Sequence, residues 1–251
     1  MLKSMAFPRW LLFIILMLSS CDAIATVGTD HMQTFGSGTS IPITALQTPA
    51  SGNQIVVAAI FGISSPAPSP PAGFTQRCTD FAGGSWWIWT HTVSGTENPA
   101  YGNLTFASSG GAVFIGERSG MNSTTPIDTN GTCVHISPVG SNLTPTLALG
   151  GTTYQNELPE SLFETNQLGR CTGGAGTCNQ AGWTERGYGN TGVFGEEQVD
   201  NSVSPRAGVS TLMNLNNTSA NTMRVLGWYD EPATLTSWCL AGAMLMGMIG
   251  C

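Results

Sequence analysis

The chain has 251 residues, of which only 9% are charged, and it carries a net charge of −7. An acidic, lysine-poor surface cannot follow a phosphate backbone, which excludes nucleic acid as a partner. The surface has to be built from Ser, Thr, Asn and Gly, a composition common in β-rich extracellular proteins.

Residues 1–25 read as an export signal. Lys3 and Arg9 give a positive start, residues 10–18 are almost wholly apolar, and small residues follow. Two cleavage sites compete. Leu18-Ser19-Ser20-Cys21 has the form of a lipoprotein box, which would remove residues 1–20 and acylate Cys21. Ala23-Ile24-Ala25 suits the ordinary signal peptidase. Both place the protein outside the cell or on its surface, and only an acyl group on Cys21 would tie it to a membrane. Cleavage after Ala25 leaves fourteen carboxylates against six arginines and no lysine.

Residues 26–40 (TVGTDHMQTFGSGTS) form an N-terminal extended segment, either a linker or a strand donated to a neighbouring copy. Val27, Met32 and Phe35 are its apolar anchors. Strict alternation puts Val27 and Met32 on opposite faces, and Gly28, Gly36 and Gly38 weaken pairing. That pattern favours a short clasp with a kink. A segment of this kind could be deleted without unfolding the domain behind it.

Residues 41–251 read as one domain. Residues 54–63 (QIVVAAIFGI) are apolar on both alternations, the mark of a central strand covered on both faces. Residues 66–71 (PAPSPP) cannot pair in a ladder and make a stiff connection. In residues 85–93 (SWWIWTHTV), period-two alternation gives Trp87, Trp89, His91 and Val93 one face and Trp86, Ile88, Thr90 and Thr92 the other. Residues 112–117, 209–215, 222–229 and 238–249 are further strand candidates. No stretch after the signal keeps a helical period, so the fold class is all-β, an antiparallel sandwich.

An internal echo divides that domain. Ala72-Gly73-Phe74-Thr75-Gln76-Arg77 returns as Ala181-Gly182-Trp183-Thr184-Glu185-Arg186, each copy leading into a strand-like run. Two related half-units follow, with Phe74 and Trp183 equivalent. Neither half could cover its apolar sheet face alone, which keeps both in one domain.

Beyond the signal stand six cysteines: Cys78, Cys133, Cys171, Cys178, Cys239 and Cys251. In an exported chain they read as up to three disulfides, with connectivity open. Cys171 and Cys178 flank a short glycine-rich stretch and make the simplest local pair. There is no C-x-x-C and the histidines are scattered, so zinc is not indicated.

The succession QIVVAAIFG, PPAGFTQR, SWWIWTHTV, YGNLTFASSGGAVFIGERSG and TTPID resembles a jelly-roll-like β-sandwich found in secreted bacterial surface proteins and phage tail or fibre proteins. It covers about residues 41–128, with a weaker second half. The resemblance implies a sandwich on a surface or appendage and carries no catalytic residues. Phe74 stands where that pattern usually has Trp, and Cys78 and Cys133 are additions to it.

Catalysis finds no constellation. There is no G-x-S-x-G elbow, and His31, His91 and His135 have no catalytic context. Gly187-Tyr188-Gly189-Asn190-Thr191-Gly192 spells G-x-G-x-x-G without a following helix and reads as a glycine-rich turn. Glu157, Glu160 and Glu164, like Glu196, Glu197 and Asp200, lack calcium-loop spacing and read as solvated loops. No cofactor is called for. Trp86, Trp87 and Trp89 are ligand-binding candidates, as exposed rings that stack on sugars, although aromatics at strand spacing more often fill a core.

Two functions remain. One is an extracellular structural protein, a subunit of a filament or appendage that self-associates through β-strand contacts. Its motive is the shortage of lysine and other charges that commonly guard sheet edges. The other is a glycan-binding adhesin or receptor-binding module.

Overall fold

The computed structural model describes residues 24–28, 30–35, 38–61, 68–80, 85–108, 111–128, 133–136, 146–148, 157–165, 184–189, 193–197, 210–212 and 223–233. All regular structure in them is β. The strands are β1 (Ala25–Thr26), β2 (His31–Phe35), β3 (Gly38–Thr44), β4 (Gln54–Phe61), β5 (Thr75–Asp80), β6 (Ser85–Thr92), β7 (Ala100–Ser108) and β8 (Gly111–Ser119). They continue with β9 (Val134–Ile136), β10 (Thr146–Ala148), β11 (Leu158–Thr165), β12 (Thr184–Gly189), β13 (Val193–Glu197), β14 (Ser210–Leu212) and β15 (Met223–Asp230). The expected export signal up to residue 23, the Cys171–Cys178 pair, Trp183 and the closing strand at 238–249 lie outside the described residues, while Ile24 is buried and Ala25 lies in β1.

The apolar strand at residues 54–61 sits where its composition requires. β4 lies inside the first large sheet, between β8 and β6, and every one of its residues is buried. Its two faces feed two cores. Val56, Ala58 and Ile60 join Trp86, Ile88 and Phe114 on one side, packed against Leu158, Leu162, Leu226 and Trp228 of a second large sheet. Ile55, Val57, Ala59 and Phe61 join Trp87, Trp89, Val93, Val113 and Ile115 on the other, packed against Ile41, Ile43, Leu104 and Phe106 of the β3–β7 ribbon. The alternation of β6 is as the sequence implies. Each large side chain so buried contributes roughly 1.5–3 kcal/mol.

The strand orders of the two halves match. In the first, β2 pairs β8, β3 pairs β7, and the sheet runs β8-β4-β6-β5. In the second, β9 pairs β15, β10 pairs β14, and the sheet runs β15-β11-β13-β12. The irregularities match too. Gln76 opposes Trp89 and Cys78 opposes Ile88, so the ladder skips Arg77. Glu185 opposes Glu196 and Gly187 opposes Gly195, so it skips Arg186. The arginines of the two echoed hexapeptides thus occupy the same bulge in the edge strand of each sheet. Phe74 is half-buried against His91 and Tyr101.

Cys78 of β5 and Cys133, the residue before β9, are joined in a disulfide with their Cα atoms 6.0 Å apart. It links the edge strand of the first sheet to the edge strand of the second.

Several loop expectations are corrected. Glu160 and Glu164 lie in β11, and Glu196 and Glu197 in β13, rather than in solvated loops. Glu157 and Glu160 are wholly buried. Gly187 to Gly189 close β12 as strand instead of opening a turn. Short runs with Gly or Glu at alternate positions lack the apolar content that marks a strand locally, and neighbouring strands supply the pairing they need.

Candidate functional site

The N-terminal segment returns to its own chain. β1 pairs the end of β8, β2 pairs its beginning, and the Val27 N–H continues the ladder to the Glu117 carbonyl at 2.9 Å. Thr26 opposes Arg118 while His31 opposes Ile115, so the segment uses five steps to cross three of β8. The excess is absorbed at a kink. Gly28 there has φ +72°, a conformation that L side chains rarely adopt. This kink turns Asp30 inward, where it is buried.

Its partner is Arg118, placed by the alternation of β8 on the face it shares with Phe114 and Gly116. Arg118 Nη1 and Nη2 donate to Asp30 Oδ1 and Oδ2 at 2.7 and 3.0 Å, a bidentate pair. Nη1 also donates to the Glu117 carbonyl at 3.1 Å, and the guanidinium lies 5.4 Å from the Phe114 ring centroid. Nε donates to Glu160 Oε1 of β11 and stands 3.7 Å from Asp230 Oδ2 of β15. Trp228 Nε1 donates to Asp230 Oδ1 at 3.0 Å. Gly116 is required here: a Cβ would stand 2.6 Å from Arg118 Nη1 and 2.7 Å from Asp30 Oδ1.

One guanidinium therefore meets three carboxyl groups, all buried. Burial opposes its charge, but Glu160 and Asp30 outweigh that, and Arg118 is held charged. Three carboxylates would leave the cluster two charges negative, which a dry interior does not sustain. Burial first, and then the neighbouring carboxylates, push Glu160 well above the usual range against the pull of Arg118. Asp230 rises to about 7, again mainly through burial. Among the described residues no hydrogen-bond donor reaches Glu160 Oε2 or Asp230 Oδ2. A proton retained between these two carboxyls would serve both oxygens.

A second cluster lies at the rim of the other core. His91 Nδ1 is 3.0 Å from the Gly73 carbonyl and Nε2 is 2.8 Å from Glu97 Oε2. A carbonyl and a carboxylate oxygen thus face the two ring nitrogens. Phe74 stacks on that ring at 5.2 Å, and Tyr101 meets it edge-on at 5.1 Å. Burial alone would raise the Glu97 carboxyl, but the Ser94 N–H and His91 outweigh it and hold it below its usual value. Burial, then Glu97, push the Tyr101 hydroxyl upward.

The tryptophan candidates are corrected. Trp86, Trp87 and Trp89 are at most 5% exposed and fill the two cores, leaving no face for a sugar ring. Met32 and Phe35 stand in β2 opposite Phe114 and Gly111, and Val27 is half-buried. The segment is paired to β8 of its own chain and brings Asp30 to Arg118. Sequence reasoning missed Asp30, Arg118 and Asp230, and placed Glu160 in a solvated loop. The available signal was Arg118 itself, on the same strand parity as Phe114.

Among the described residues, no three His, Cys, Asp or Glu are grouped to hold a metal ion. Compared with protein-family models, curated proteins and solved structures, the chain matches none.

Proposed function

We propose that the protein is an exported structural subunit that assembles with copies of itself through β-strand contacts, and that it works by assembly rather than catalysis. The observation that carries this reading is where the charges go. Asp30, Glu117, Asp128, Glu157, Glu160, Asp230, Glu231 and Arg118 are all buried, so a chain already poor in charge has still less on its surface. Contact between copies of such a molecule desolvates few charged side chains.

The edges refine the reading. β5 and β12 carry a bulge at Arg77 and Arg186, a device that discourages pairing. β2 (HMQTF) pairs β8 and has no Asp, Glu, Lys or Arg, so it lacks the charges that guard a sheet edge, and within the chain it also lies near β12 and β13. The nested pairing of first strand with last and second with next-to-last supports a jelly-roll-like wrap. Its repetition with the same bulges supports two copies of one β-unit. Both accord with the resemblance to surface and appendage proteins.

Electron microscopy and light scattering of the mature protein test the assembly. Regular fibres or a concentration-dependent rise in mass support it, and a monomer at high concentration rejects it. A glycan-binding module is the second reading, supported by the half-buried Phe74, His91 and Tyr101 beside Glu97. Binding on a glycan array that is lost in Phe74→Ala would favour it.

A further inference from the structure

We propose that Asp30, Arg118, Glu160 and Asp230 form a proton-dependent latch, which holds the N-terminal strand against β8 while Glu160 and Asp230 retain a proton and loosens when that proton leaves. The inference does not depend on the assembly reading.

The geometry supplies the lever. Among the described residues Arg118 is the sole cation in the cluster, and it divides its donors between Asp30 on one side and the Glu160–Asp230 pair on the other. While the pair carries a proton, it makes a limited claim on the guanidinium, and Asp30 keeps both terminal nitrogens. Loss of the proton adds a second full charge that burial prevents water from screening. The three carboxylates then repel one another across a single cation.

Yielding falls on the weakest support. Glu160 lies in β11, held between β13 and β15, and Asp230 ends β15, flanked by β11 and by the isolated bridge to Ile127. Asp30 lies between a two-residue strand and a five-residue one, and among the described residues each has β8 as its ladder partner. Asp230, raised to about 7, puts the transition near neutral pH. An acid raised in the folded state stabilises it below the ordinary carboxyl range, and that stability is lost as pH rises through the raised value. The latch is therefore shut in mild acid and opens towards alkali.

The remaining charged and titratable neighbours are placed elsewhere or can be removed by substitution. Glu117 is bound by the Ala50 N–H at 2.9 Å and Asn53 Nδ2 at 2.6 Å. His31 and His135 lie on the strands that pair β8 and β15, so each is replaced as a control.

Hydrogen exchange on the full mature chain, at pH 5.5 and pH 8.5 and corrected for intrinsic rates, tests the latch. The expected result is a loss of protection over residues 26–35 of at least about tenfold at the higher pH, the equivalent of one pKa unit, with a smaller loss over β4. Asp230→Asn should remove the pH response, with Glu160→Gln as the second variant should the first fail to fold. His31→Asn and His135→Asn should keep it. Equal protection at both pH values, a uniform loss across all strands, or a response abolished by a histidine substitution would overturn the latch.

Discussion

Arg118 binds both carboxylate oxygens of Asp30 across a sequence separation of 88 residues. This pair fastens the N-terminal segment to the sheet, and the same guanidinium reaches Glu160 and Asp230 of the second sheet. Three elements distant in sequence thus meet at one side chain.

Removing that side chain leaves three carboxyl groups in a dry interior. Arg118→Met should cost about 3–5 kcal/mol in denaturant unfolding, the range for breaking a buried ion pair. Replacing Asp30, Glu160 and Asp230 together with Arg118 by apolar residues of similar volume should cost less than the single change. A fourfold variant weaker than Arg118→Met would show that the packing, not the stranded charge, governs the site.

Global stability should fall between mild acid and neutrality. Asp230 at about 7 binds a proton in the folded chain over a range in which the unfolded chain has already released it. The melting temperature at pH 8 should lie at least about 4 °C below that at pH 5. Asp230→Asn should flatten the difference. A melting temperature that instead rises across this range would contradict the direction of the shift.

The tryptophans should act on stability and not on ligands. Trp87 and Trp89 are fully buried and stack with their centroids 6.2 Å apart, and Phe61 meets Trp87 edge-on at 5.2 Å. Trp87→Ala should cost about 3–5 kcal/mol. Wild-type fluorescence should resist acrylamide quenching in the native state. Ready quenching would place the rings at the surface.

The Cys78–Cys133 bridge closes a loop of sequence separation 55. Its loss in Cys78→Ala/Cys133→Ala should destabilise the domain by about 4 kcal/mol on loop-entropy grounds. Non-reducing peptide mapping should recover the two cysteines in one linked pair. Recovery of both as free thiols from native material would remove the covalent tie between β5 and β9.

The sequence by itself determined the fold class, the burial of β4 on both faces and the side to which each residue of β6 points. These are period-two properties, written in the residues of the strand itself. It also implied a kink in the N-terminal segment, because glycine spacing and parity are local, and the structure placed it at Gly28. Tertiary structure decided what covers each face. Nothing in SWWIWTHT distinguishes a ring facing solvent from one facing another sheet, and only the arrival of the β3–β7 ribbon and the second large sheet put all three tryptophans inside. It also decided that residues 25–35 close back on β8 and that Glu160 is interior. A buried carboxylate depends on a counter-charge supplied from elsewhere in the chain, and Arg118 reaches Glu160 across 42 residues and Asp30 across 88. Such partners are chosen by the nested order of strand pairing, which no local pattern records.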